Sequence, residues 1–107
     1  EPAGFRWIAP DSADDNVVIF MRIAPSSGRR VICACNFSPV LRAPYRIGVP
    51  AAGFYREILN TDSSYYGGSN LGNGGGVQSQ PIEWFGFPNS IAATLPPLSV
   101  VWFEAPT

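Results

Sequence analysis

No stretch of this chain has the spacing of a helix. Nowhere do apolar residues recur three and four apart over ten or more positions free of Gly and Pro. What recurs is the short strand closed by a turn. "NVVIFMRI" (16–23) is rich in β-branched and aromatic residues, and "PSSG" (25–28) closes it. "RRVICACNF" (29–37) follows at hairpin distance and ends before Pro39, which cannot donate to a ladder. "YRIGV" (45–49) and "FYREILN" (54–60) flank the turn "PAAG" (50–53). Further along come "VQSQ" (77–80), "IEWFG" (82–86), "SIAATL" (90–95) and "LSVVWFEA" (98–105), the last two separated by Pro96 and Pro97. Strands at intervals of roughly 8–12 residues predict an all-β fold, an antiparallel two-sheet Greek-key β-sandwich of about seven to eight strands. The 107 residues suit one domain, 1–107, able to bury about 65% of the unfolded surface.

The alternation within strands predicts which faces are covered. In 16–23, Val17, Ile19, Met21 and Ile23 share one face, and Val18, Phe20 and Arg22 the other. In 54–60, strict alternation groups Phe54, Arg56, Ile58 and Asn60 against Tyr55, Glu57 and Leu59. A strand apolar on both sides is covered on both. The Val18/Phe20 side is therefore expected to meet either "FRWI" (5–8) folded back over it or polypeptide outside this sequence.

Charge excludes several partners. The net charge of −1, with seven Arg, no Lys and no His, leaves no polybasic footprint for nucleic acid or a membrane surface. No apolar run approaches the ~18–20 residues that span a bilayer. Charged residues make up 14%, against a usual ~25%, which suggests a surface partly covered by something else. Cys33 and Cys35, two apart on one strand, point the same way at ~6.5–7 Å, awkward for a mutual disulfide. They read as free thiols, favouring a reducing compartment.

Catalytic chemistry finds little purchase. Without His there is no Ser–His or Cys–His pair, and without Lys no Ser–Lys variant. "DSADD" (11–15) reads as a solvated loop, lacking the distal Glu of a calcium loop. No metal or cofactor site is expected. The stretch "GGSNLGNGGG" (67–76) holds six of the eleven glycines. A phosphate loop would carry a cation and lead into a helix; this one does neither. It reads as a structured turn with positive-φ positions. Aromatics are the remaining candidates. Tyr65, Tyr66, Trp84 and Phe85, with Phe87 beside them, are the candidates for contact with a sugar or with another domain.

The motifs in order, "GFRWI…NVVIFMR", "VICACNFSPV", "YRIGVPAAGFYREILNTDSSYYGGSNLGN" and "LPPLSVVWFE", resemble the C-terminal β domain of bacterial 1,4-α-glucan (glycogen) branching enzymes, members of the α-amylase-like glycoside hydrolase family 13. The most specific pieces are "NFSPV" (36–40), "LNTDSSYYGGSNLGN" (59–73) and "LPPLSVV" (95–101). The resemblance implies a parent with a catalytic (β/α)8 barrel that holds the reacting carboxylates and moves α-1,4-glucan segments to form α-1,6 branches. It implies no catalytic residue here, a junction with the barrel over residues 1–15, packing on that barrel, and a cytoplasmic setting. An independent α-glucan-binding module, or the terminal domain of another α-amylase-family enzyme, would share the fold. In the isolated chain, the covered face should become an exposed apolar patch.

Overall fold

The computed structural model describes residues 5–9, 16–62 and 72–106. Among these, eight strands form two antiparallel sheets. β1 (Phe5–Ala9), β2 (Val17–Ile23), β3 (Arg30–Asn36), β5 (Phe54–Asn60), β6 (Gly76–Gln78) and β8 (Ser99–Glu104) make the larger, in the order β1-β2-β3-β8-β5-β6. β4 (Arg42–Val49) and β7 (Asn89–Leu95) pair alone as the second. The chain crosses between sheets after β3, β4, β6 and β7. The last strand inserts between β3 and β5, a non-sequential neighbour of the kind a Greek key produces.

The core fills the space between the two sheets. Val17, Ile19 and Met21 of β2 point into it, and Ile23 packs against it, as the alternation predicts. They meet Ile32 and Ala34 of β3, Val101 and Phe103 of β8, and Ile47, Ile91, Ala93 and Leu95 of the small sheet. Tyr55 is fully buried, and its hydroxyl donates to the Ala51 carbonyl at 2.7 Å. That bond ties β5 to the turn before it and satisfies a polar atom that burial would otherwise penalise. Burial also raises the Tyr55 pKa above its ordinary value.

Four expectations need correction. "FRWI" does not fold over the Val18/Phe20 face: β1 pairs edgewise with β2, Trp7 opposite Phe20. β4 begins at Arg42 rather than Tyr45, because a register shift between those residues accommodates Pro44, which has no N–H for the ladder. Residues 82–86 form no strand; their one bridge belongs to a tight turn. In β5 a bulge between Glu57 and Leu59 breaks the alternation. The extra residue, Ile58, puts Asn60 opposite core residue Val101, so Asn60 is buried on the side of Tyr55 and not on that of Phe54.

The other face of the large sheet carries Val18, Phe20, Val100 and Trp102, all half-buried. Cys33 and Cys35 lie on this same face as free thiols, opposite Phe20 and Val18. Burial, helped by neighbouring Cys35, pushes the Cys33 thiol up to about 11. Burial raises Cys35 as well.

Candidate functional site

The aromatic candidates divide sharply. Trp84 and Phe87 exchange both backbone hydrogen bonds at 3.0 Å, closing a two-residue turn over Phe85 and Gly86. Both central residues have positive φ, 51° and 84°. That is the pattern of a type I′ hairpin turn, in which glycine is at ease and phenylalanine is strained. The turn faces its side chains apart. Phe87 enters the core, so it offers nothing to a ligand, contrary to expectation. Trp84 and Phe85 stay outside, 39% and 66% exposed. Their rings meet edge to face, centroids 5.7 Å apart at 87°. Two ring faces at right angles can stack one sugar each; they do not make a flat two-ring platform. Tyr65 and Tyr66 lie outside the described residues.

Gly48 of β4 explains why this turn can sit where it does. A Cβ there would run into the Trp84 carbonyl oxygen and come within 3.0 Å of the Phe87 ring. Glycine within "YRIGV" thus marks the close approach of a second backbone. The turn is further held by Gln80 and Ser90, which exchange backbone bonds of 2.8 and 3.0 Å. Arg46 donates to the Ser90 hydroxyl at 2.7 Å.

The described end of the glycine-rich stretch is a framework joint. Asn73 donates to Glu57 on β5 at 2.7 Å and to the Thr94 carbonyl on β7 at 3.0 Å, and its side-chain oxygen accepts the Thr94 N–H at 2.7 Å. One amide side chain thereby engages both backbone groups of an edge-strand residue and links the two sheets. Gly74 and Gly75, with φ of 62° and 100°, turn the chain into β6. The structured-turn reading therefore holds for 72–76.

A second joint closes one end of the sandwich. Asn36, fully buried at the end of β3, donates to the carbonyls of Val40 at 3.0 Å and of Leu95 and Pro96 at 3.1 Å. Its oxygen accepts the Ser38 N–H at 2.9 Å. The Ser38 carbonyl in turn accepts the Leu98 N–H at 2.9 Å. "NFSPV" and "LPPLSVV", distant in sequence, are bonded to each other here. Nothing in the sequence reading marked Asn36 as the link. The available signal was a lone amide at the end of an apolar strand.

At the opposite end, after the 25–28 turn, Arg29 and Arg56 both pair with Glu104 of β8, Arg56 at 2.6 Å. Glu57 and Glu104 are thus held by Asn73 and by two guanidiniums, on opposite faces of the sheet. Among the described residues, no three His, Cys, Asp or Glu side chains are placed to hold a metal ion.

A two-sheet sandwich whose buried polar side chains bond its own framework defines an all-β module without a catalytic constellation among its described residues. The chain matches the family model of the alpha amylase C-terminal all-beta domain over residues 7–106, and it belongs to that family. It is 54% identical over 103 residues to the 1,4-alpha-glucan branching enzyme GlgB of Myxococcus xanthus, covering 96% of this chain and 14% of that one. The proteins of the same name from Burkholderia thailandensis and Albidiferax ferrireducens are 50% and 48% identical over 96% of this chain. The chain spans 12–16% of the length of these relatives.

Proposed function

We propose that this chain is a non-catalytic accessory domain of a glycogen branching enzyme, packing on and stabilising the catalytic barrel of its own polypeptide. In that enzyme the barrel would transfer α-1,4-glucan segments to form α-1,6 branches, in the cytoplasm. One observation carries this reading: a match over residues 7–106 to a C-terminal all-β domain, in relatives named as branching enzymes that are several times longer. Free, deeply protonated thiols accord with a reducing compartment. No helix among the described residues is long and apolar enough to cross a membrane. The test is a full-length enzyme against one ending before this domain. Loss of barrel stability and branching on truncation supports the reading; a truncated enzyme that melts and branches like the full chain overturns it. The 107-residue chain alone should leave amylose unbranched.

A second reading, contact with an α-glucan, is favoured by the exposed Trp84–Phe85 pair. Maltoheptaose at millimolar concentration should then change tryptophan emission in the wild type and not in Trp84→Phe. An unchanged wild-type spectrum removes it.

A further inference from the structure

Three cavities open at the end of the sandwich where the 25–28 turn joins β2 to β3, and Arg29 lines all three. Arg22, Arg30 and Arg56 stand on their other walls, so four guanidiniums meet one carboxylate, that of Glu104. This is a local excess of positive charge in a chain whose net charge is −1. A cleft lined by one sign of charge concentrates ligands of the other. The cavity between Arg22 and Arg29 has a volume of about 470 Å³, within the range of small-molecule sites. Val31 and Trp102 form its sheet side, and Pro25 and Ser27 of the turn wall it. No carboxylate lines it.

We propose that this cavity binds a phosphorylated monosaccharide, its phosphate between Arg22 and Arg29 and its ring against Val31 and Trp102. The proposal goes beyond the accessory role and does not require it. Arg22 stands opposite Val31 in the β2–β3 ladder. Arg29, two residues before Val31, is its diagonal neighbour on the same face, at roughly 7–8 Å. Like charges so placed repel each other. Glu104 relieves Arg29, but no carboxylate of the described residues pairs with Arg22. A phosphate monoester carries about two negative charges and three strong acceptor oxygens, so it can take one guanidinium fork from each side. The Ser27 hydroxyl accepts the Arg29 N–H at 3.3 Å and keeps its own proton to donate. Beyond the charges the sheet side is apolar, and the half-buried Trp102 indole offers a flat edge to the apolar face of a sugar ring. The wall is in place before any ligand arrives. The Ala24 N–H donates to the Arg29 carbonyl and the Gly28 N–H to the Ala24 carbonyl, both at 2.8 Å, so little ordering entropy would be lost on binding.

Arginine footprinting of the full-length branching enzyme tests this. Phenylglyoxal modifies accessible guanidiniums, and mass spectrometry locates the adducts. Glucose 6-phosphate at millimolar concentration should slow modification of Arg22 and Arg29, and leave unprotected Arg56, which is equally exposed and pairs with the same Glu104. Glucose and inorganic phosphate at the same concentration should each protect less. In Arg22→Gln, protection of Arg29 should need about tenfold more glucose 6-phosphate, as for a lost charge-assisted hydrogen bond. Arg22 is exposed, so the thermal midpoint of that variant should match the wild type. Inorganic phosphate protecting as well as glucose 6-phosphate would overturn the ligand class. Equal protection of Arg56 would overturn the choice of cavity. Arg22 and Arg29 that resist phenylglyoxal before any ligand is added would mean that the rest of the enzyme seals the cavity, and would overturn the proposal. Each of these outcomes leaves the truncation test of the accessory role untouched, so the two readings fail separately.

Discussion

The two ends of the sandwich contrast in chemistry although the same strand, β3, connects them. Before it, Arg29 and Arg56, both more than half exposed, sit around the mostly buried Glu104. After it, Phe37, Val40 and Leu41 stand beside Leu98 with no charge between them. The guanidinium heads at this end stay in water, where an ion pair contributes little. The apolar end is held together internally, through Asn36. There the amide inside holds the loops, and Phe37, Val40, Leu41 and Leu98 stand outside.

The largest effect expected from this contrast is at Asn36. Asn36→Ala removes the amide from the Val40, Leu95 and Pro96 carbonyls, of which Pro96 keeps the Ser99 hydroxyl, and from the Ser38 N–H, at a cost on the order of 3 kcal/mol. Urea unfolding of the 107-residue chain measures it, and a loss below that of Arg56→Ala would erase the distinction between the ends. Next comes Gly48→Ala. The added methyl pushes against the Trp84 carbonyl, and overpacking of this kind costs about 1–3 kcal/mol. Shifted backbone amide resonances of 84–87 should accompany it.

A smaller loss should appear at high pH. The folded chain binds the Cys33 proton more tightly than the unfolded chain, whose thiol keeps the ordinary value of 9.0. That contribution is complete below pH 9.0 and is lost as pH rises toward about 11. Cys33→Ala should flatten this part of the stability–pH curve; an unchanged slope would assign it to Cys35 or Tyr55, both also raised by burial. At the charged end, Arg56→Ala should cost only about 0.2–1 kcal/mol, less in high salt. The smallest effect carries the opposite sign. Leu98→Gly relieves the positive φ and should leave the isolated chain as stable or slightly more so, as urea unfolding would show.

Much of this was legible in the residues. The β2 alternation named its core face correctly because a period of two survives wherever a strand pairs without interruption. In β5 the same rule misplaced Asn60, because one extra residue in a ladder inverts every face beyond it, and a bulge leaves no mark that alternation can read. The residues alone grouped Trp84, Phe85 and Phe87 as one set of contact candidates; a two-residue turn decided that Phe87 went in and the other two stayed out.

By itself the sequence determined the all-β class, most of the described turn positions and the family, since these rest on local chemistry: branched residues favour strands, proline and glycine interrupt them, and ordered strings of residues carry a family's pattern. Only the tertiary structure decided where the motifs meet. "NFSPV" and "LPPLSVV" lie about sixty residues apart, and Asn36 joins them at a separation of 59 and 60 positions. A hydrogen bond of that range has no periodicity and no local signature; it exists because two crossovers between sheets bring both loops to one end. The apolar patch is a product of the same crossovers, four ordinary side chains made into a surface by the fold.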